Sequence, residues 1–226
     1  MSEKTLLLHC CCAPCTLMPL DALRSAGWQP LLYFYNPNIH PYSEYEHRLS
    51  VLRSYLDKEG LQVQAGSYDA ELWEATVGIY GGPYPLLAHT EEYAEMLAAK
   101  RQRCRACYDL RFRAAADFAK TQACTSIDTT LTISPYQFTA EICDSIATAA
   151  KAYGLAPLNS NWRDFYPQSV QRSRALGLYR QNFCGCRYSL QEAQIERAAR
   201  KSSKNSEAGQ RSSYPIQEKL EPQGAN

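Results

Sequence analysis

The stretch LLLHCCCAPCT, residues 6–16, decides how this chain is read: a short apolar run gives way to four cysteines within six positions. Thr5 to His9 is continuous and apolar, as expected of a strand buried on both faces. Cys12-Ala13-Pro14-Cys15 then stands where the strand yields to a helix, which is also how a thioredoxin-like redox pair is placed. A dithiol, a metal site and a buried apolar cluster are all open at this point.

Working outward, a helix-like segment ends at Gly27 and Leu31 to Tyr35 repeats the strand pattern. Ser43-x-x-Glu46 reads as a capping box for a helix carrying Tyr45, Leu49, Leu52 and Leu56, which stops at Gly60. Leu61 to Ala65 fits a third strand, and Asp69 caps a helix through Leu72 to Ile79, before the turn GGPYP. Such alternation argues for an α/β fold: a mostly parallel sheet flanked by helices, with sites at the carboxyl ends of the strands. Residues 90–121 read as two consecutive helices carrying Cys104 and Cys107, SIDTTLTISP (126–135) as a strand, and Thr139 to Tyr153 as a helix. Ser189-x-x-Glu192 reads as the cap of a closing helix. The folded domain is expected over residues 1–200, and residues 201–226, rich in Ser, Gln, Glu and Pro, as a disordered tail.

With 226 residues, 45% of them hydrophobic, the chain can bury a substantial core. A net charge of +1 gives no global polyelectrolyte signal, so any nucleic-acid surface has to be a local patch. The sequence has neither a secretory pattern nor an apolar stretch of the ~20 residues that span a membrane, and a cytoplasmic location is expected. In a reducing compartment, ten cysteines are a better match for metal ligation or catalysis than for a disulfide framework.

Eight of these cysteines fall in three groups: Cys10-Cys11-Cys12-x-x-Cys15, Cys104-x-x-Cys107 and Cys184-Gly-Cys186. Cys104, Cys107, Leu110, Ala114 and Phe118 share one helical face, so both thiols can point at the sheet while the neighbouring arginines face outward. Gly185 permits a tight turn on which Cys184 and Cys186 converge. One tetrahedral zinc or one cubane cluster takes four thiolates. Eight thiols therefore imply bystanders or two centres in one pocket, and pure dithiol chemistry becomes the minority reading. Cys10 is the expected spectator of its group, Cys124 and Cys143 read as core, and His9 reads as a packed histidine.

Lys100, Arg101, Arg103 and Arg105 flank Cys104, with Arg111 and Arg113 following; Arg163, Arg172, Arg174, Arg180 and Arg187 surround the last pair. Either patch alone is an ordinary solvated face. Two of them meeting at one thiol-rich pocket, interleaved with Tyr166, Tyr179, Phe183 and Tyr188, suit RNA.

Taken together and in order, HCCCAPC, YFYNPNIHPYSEYEHR, CRACYDLRF, TTLTISPY and GLYRQNFCGCRYS closely resemble the QueH-type, cobalamin-independent epoxyqueuosine reductases over about residues 5–190. The resemblance implies a Rossmann-like (HUP-like) sheet whose phosphate loop is replaced by the cysteine turn. It implies removal of the epoxide oxygen from epoxyqueuosine at the tRNA wobble position, the last step of queuosine synthesis. It further implies a [4Fe–4S] cluster as electron source, with a second metal ion, iron, as Lewis acid. By position, Cys11, Cys12, Cys104, Cys107, Cys184 and Cys186 match the metal-binding thiols, with Cys11, Cys12, Cys184 and Cys186 expected at the reacting centre. Cys15, at a position where the family also uses an acidic residue, is a further candidate ligand. Tyr179, Arg180 and Gln181 are expected to hold the nucleoside or an adjacent phosphate, and Asn36, Asn38, Tyr45 and Arg48 to line the same mouth. Arg101, Arg103, Arg105 and Arg111 are the expected tRNA contacts. A ferredoxin or flavodoxin is the expected electron donor, and no membrane is involved. Two other classes compete: a zinc-stabilised nucleic-acid-binding module, and a thioredoxin-like dithiol oxidoreductase that needs only Cys12 and Cys15.

Overall fold

The computed structural model describes residues 5–87 and 90–212. Five strands form one sheet: β1 (Thr5–His9), β2 (Gln29–Phe34), β3 (Val63–Ala65), β4 (Ser126–Thr129) and β5 (Ala156–Pro157). They lie in the order β3-β2-β1-β4-β5, and every pairing is parallel. The α/β reading of the sequence therefore holds. The chain builds outward from β1 to β3 on one side, then returns to lay β4 and β5 on the other. That reversal opens a crevice beyond the carboxyl ends of β1 and β4, where ligands of open parallel sheets bind. The cysteine turn leaves β1 at that crevice.

Each face of the sheet is covered by helices. Leu6 and Leu8 of β1 pack with Leu17, Leu20, Leu52 and Leu56 of α1 (Ala13–Ser25) and α2 (Tyr42–Lys58). Leu7 faces the other way, against Phe112, Ala115 and Ala119 of α4 (Tyr93–Thr121) and Ile142 and Ile146 of α5 (Thr139–Tyr153). Small side chains on the facing surfaces, Ala115, Ala116, Ala149 and Ala150, let α4 and α5 approach closely. Full burial of Leu6, Leu7 and Leu8 explains why β1 reads as an unbroken apolar run and does not alternate.

Several local expectations are corrected. Residues 93–121 form one helix of 29 residues, because no Gly or Pro interrupts them. The run 126–135 is strand only to Thr129 and then tightens into a 3-10 turn, Thr130–Ile133. Asp69 does cap α3 (Ala70–Thr76), accepting from Leu72 N at 2.8 Å, but α3 stops before Ile79. Neither Ser-x-x-Glu box caps a helix. α2 starts after Pro41, where Tyr42 Oη donates to Glu46, and Ser189 lies within α7 (Arg187–Ser212). α6 (Tyr166–Ala175) packs against α1. α7 runs past residue 200, because residues 201–212 contain helix formers and no Pro; the rest of the expected tail, 213–226, lies outside the described residues.

Candidate metal centre

At the end of β1 the backbone still follows the sheet, with Cys10 N donating to Tyr33 O at 2.8 Å. The Cys10 side chain turns into the core beside Leu6 and Leu8, and burial pushes its thiol up to about 12. Cys10 and Cys11 thus face opposite sides of the sheet, as strand alternation anticipates. Cys11 emerges towards the crevice, its N–H donating to Thr130 Oγ1 at 3.3 Å across the β1–β4 junction. Cys12 is the extended N-cap of α1, so its sulfur sits at the positive end of that helix, one turn before Cys15.

The sulfurs of Cys11, Cys12 and Cys15 all lie within 4.8 Å of one another, and Cys11 and Cys12 are 3.9 Å apart. Metal–thiolate bonds of about 2.3 Å arranged tetrahedrally put sulfurs about 3.8 Å apart, so this triad is close to the spacing of one ion. Its electrostatics are graded. Burial would raise the Cys12 thiol, but hydrogen bonds from Cys11, Cys15 and Gln181 outweigh it and hold Cys12 well below the usual thiol range. The Gln181 Nε2 lies 2.8 Å from Cys12 Sγ. Donation to Cys12 pushes Cys11 up to about 11, and hydrogen bonds to Cys11 and Cys12 raise Cys15 well above the usual range. The gradient makes Cys12 the most readily ionised thiol of the three, and an ion bound there would displace the protons of Cys11 and Cys15.

A second group comes from α4 and the loop before α7. Cys104 and Cys107 project from one face of α4, and Trp73 Nε1 donates to Cys107 Sγ at 3.4 Å. Gly185, at φ +135°, makes the turn between Cys184 and Cys186; a Cβ there would come within 2.9 Å of Ile39. Arg48 anchors the same turn through the carbonyls of Cys184 at 2.9 Å and Phe183 at 3.3 Å. Ser189 N donates to Cys186 Sγ at 3.3 Å. Burial raises Cys104, Cys107 and Cys186, the last up to about 12, and the nearby Cys184 raises all three further. These sulfurs stand further apart than the first triad, which is the sole set of three potential ligands within 4.8 Å among the described residues. Cys11, Cys15 and all four members of the second group open onto one cavity of about 1020 Å³.

The arginines are arranged differently from the outward-facing expectation. Arg103 and Arg111 are each 1% exposed and point inward, because positions 103, 107 and 111 form one i, i+4, i+8 stripe with Cys107. Arg103 pairs with buried Glu192 at 2.7 Å. Arg111 donates through Nη2 to Asn36 Oδ1, whose amide in turn donates to Cys10 O at 3.0 Å. The Nε and Nη1 of Arg111 and the Nε of Arg103 are buried without hydrogen-bond partners among the described residues. Arg101 is tied to Glu141, and Arg105 to Asp109 and Asp144. Asn36, Asn38, Arg48, Arg180 and Gln181 line the cavity. Tyr45 and Tyr179 do not: Tyr45 packs under Phe34 and Tyr68, and Tyr179 donates to Glu44 beside His47. His9 is fully buried between Thr129 Oγ1 and Tyr35 O, as a packed histidine should be.

Against known proteins, the family described as "Epoxyqueuosine reductase QueH" matches residues 6–192. The chain belongs to the QueH family. Curated QueH epoxyqueuosine reductases from Dehalococcoides mccartyi and Thermotoga maritima are each 32% identical to it. The alignments cover 83% of this chain and 93% of the first relative, and 86% and 94% for the second. A third, from Histophilus somni, is 30% identical over 87% of this chain and 76% of its own length. The QueH match takes in both thiol groups and ends at Glu192, the partner of Arg103. Among the described residues no helix is long and apolar enough to cross a membrane. Sequence reasoning missed four residues of this QueH site: Thr130, Trp73, Glu192 and Ser189 as a sulfur partner. Only Thr130 carried a signal, since it follows a strand that adjoins β1.

Proposed function

We infer that this chain reduces epoxyqueuosine in tRNA to queuosine in the cytoplasm, as an iron–sulfur oxidoreductase with a single folded domain. Two C–O bonds of the epoxide break, an alkene forms, and the oxygen leaves as water at the expense of two electrons and two protons. The observation that carries this reading is that two thiol groups of different spacing open onto one cavity large enough for a nucleoside. Cys104, Cys107, Cys184 and Cys186 would hold a [4Fe–4S] cluster, which takes four thiolates, and Cys11, Cys12 and Cys15 would hold a second ion, iron. The partnerless buried donors of Arg103 and Arg111 fit such a pair of centres, because thiolate-bound metal would bring acceptors for these donors and the negative charge that Arg111, unlike the Glu192-paired Arg103, lacks. When bound, the cluster supplies electrons one at a time from a ferredoxin- or flavodoxin-like donor, and the second ion acts as a Lewis acid.

The chain's own residues do the rest. Gln181 fixes Cys12 through Nε2, while its Oε1, buried and unpartnered among the described residues, is left to accept a substrate hydroxyl. Asn36 ties Arg111 to the cysteine turn, and Arg48 holds the Cys184–Cys186 loop at the cavity wall. Anaerobic incubation of reconstituted protein with epoxyqueuosine-tRNA and a low-potential reductant should give queuosine by nucleoside mass spectrometry. Unchanged epoxide with fully loaded protein would refute the reaction.

A further inference from the structure

The basic run of α4, which looks in sequence like the RNA contact, is neutralised within the molecule. Lys100 pairs with Glu192 and Glu196, Arg101 with Glu141, Arg103 with Glu192, and Arg105 with Asp109 and Asp144; Arg111 is buried. Arg113 is the exception in that run, exposed and without an ion pair among the described residues; the free positive charge at the cavity is elsewhere. Eight of the side chains lining the cavity are Lys or Arg and two are Glu, in a protein whose net charge is +1. At its exposed mouth Arg180, Arg197 and Lys201 carry no ion pair or hydrogen bond among the described residues, and Arg197 and Lys201 lie on one turn of α7.

Beside these cations stands Tyr136, 76% exposed, which lines the same mouth. Its loop is rigid. Tyr136 N donates to Ser134 Oγ at 3.3 Å, and Tyr108 Oη donates to Gln137 Oε1 at 2.8 Å. Arg163 clasps Gln137 O at 3.1 Å and Thr139 Oγ1 at 2.6 Å. The Tyr136 phenol hydrogen-bonds with Tyr166, and the ring, left largely in water on a pinned loop, is a preformed surface for a base, with cations in place for the flanking phosphates.

We propose that a single-stranded RNA loop docks across this mouth, one base stacking on Tyr136 and its phosphates meeting Arg180, Arg197 and Lys201. The outer face of α4 stays free. The proposal rests on the reading of tRNA as substrate and names the surface that receives it.

The test measures anisotropy of a fluorescently labelled, unmodified anticodon stem-loop RNA on the full reconstituted chain, without reductant. Arg180→Gln combined with Arg197→Gln and Lys201→Gln should weaken binding at least tenfold near physiological salt. The slope of log affinity against log salt should fall by about two, at ~0.7 per single-strand phosphate contact. Tyr136→Ala should cost about 5- to 100-fold with the slope unchanged, as expected for a stacking contact, and Tyr136→Phe should restore it. Arg101→Gln with Arg105→Gln should bind as wild type does. Losing affinity in the α4 variant but not in the mouth variants would overturn the proposal. So would mouth variants that bind RNA normally but slow reduction by an acidic one-electron donor protein, since the patch would then serve that donor. Binding is read without turnover. Mapped binding with no deoxygenation by wild type would therefore count against the reaction alone, and deoxygenation with binding indifferent to the mouth would count against this surface alone.

Discussion

Replacing Arg111 by methionine should stabilise the protein when it is metal-free and destabilise it when it is loaded. In the metal-free chain the guanidinium is 1% exposed and has no carboxylate partner among the described residues. Burial keeps the adjacent Cys107 thiol protonated at neutral pH despite the opposing pull of Arg111. One of its nitrogens donates to Asn36 and the guanidinium also reaches the Cys107 thiol, while the Nε and Nη1 atoms satisfy no full hydrogen-bond geometry among the described residues. Each unsatisfied buried donor costs about 1–3 kcal/mol, against roughly 1.5–3 kcal/mol lost with the charged bond to Asn36. Removing a buried charge in favour of an apolar side chain of similar length often gains about 1–4 kcal/mol. A net gain of about 1–2 kcal/mol is expected, or roughly 2–8 °C in Tm for a domain of this size. Loading reverses the sign, because thiolates on a metal supply the missing countercharge and methionine cannot answer it. Thermal melts of both forms, prepared anaerobically, read the two shifts directly. A metal-free variant that melts several degrees below wild type, or shifts of the same sign in both forms, would refute the reasoning.

Cys104→Ser, Cys107→Ser, Cys184→Ser and Cys186→Ser should each abolish acid-labile sulfide and visible absorbance. Cys11→Ser or Cys15→Ser should keep the sulfide and lose about one equivalent of iron by elemental analysis; Cys10→Ser should change neither. Gln181→Leu removes the donor to Cys12 and should weaken binding of a single zinc ion about 10- to 100-fold, the usual effect of losing a group that orients a ligand, measured by chelator competition. Burial pushes Asp128, beneath the sheet crevice, up to about 6. Its folded pKa exceeds the unfolded one, so the stability it contributes is present below about pH 4 and is lost as pH rises through 6, up to about 3 kcal/mol at ~1.4 kcal/mol per unit. Asp128→Asn should flatten that fall between pH 4 and 6 in denaturant titrations and raise stability at pH 7; an unchanged pH profile would show the carboxyl to be hydrated.

β1 and α5 were legible because their signals are local: an unbroken apolar run in the first, a 3.6-residue stripe ending at Gly154 in the second. The capping boxes failed because Ser-x-x-Glu is also an ordinary pattern inside helices. Ser189 spends its hydroxyl on the Cys184–Cys186 turn, accepting from Gly185 N and donating to Cys186 O, and Glu192 crosses the molecule to Arg103. The Ser189 partners lie only three and four residues back, in a turn the box pattern does not encode, whereas the Glu192 partner lies 89 residues away, beyond any local window. Tyr45 was placed at the mouth on its position after β2, yet its ring completes an aromatic layer with Phe34 and Tyr68. The partition of the thiols was equally invisible, since it depends on α1 holding three sulfurs at one helix end while α4 and a distant loop bring the other four to the same cavity.

The arginines show where sequence reading can be sharpened. Beside a CxxC on a helix, a basic run looks like a solvated face because charged side chains are rarely buried. Helical geometry alone would have given a different answer: residues 103, 107 and 111 share a stripe, so whatever buries Cys107 also buries both guanidiniums. Placing two cations in a low-dielectric cavity with Glu192 as their one full countercharge among the described residues is unfavourable for an empty fold. Polyanionic contents reverse that balance. On the proposed function the basic run and the cysteine pairs form one device: the thiols would gather metal, and the buried arginines would let the cavity accept the negative charge that comes with it. The proposed RNA surface then uses the unpaired charges left over at the mouth.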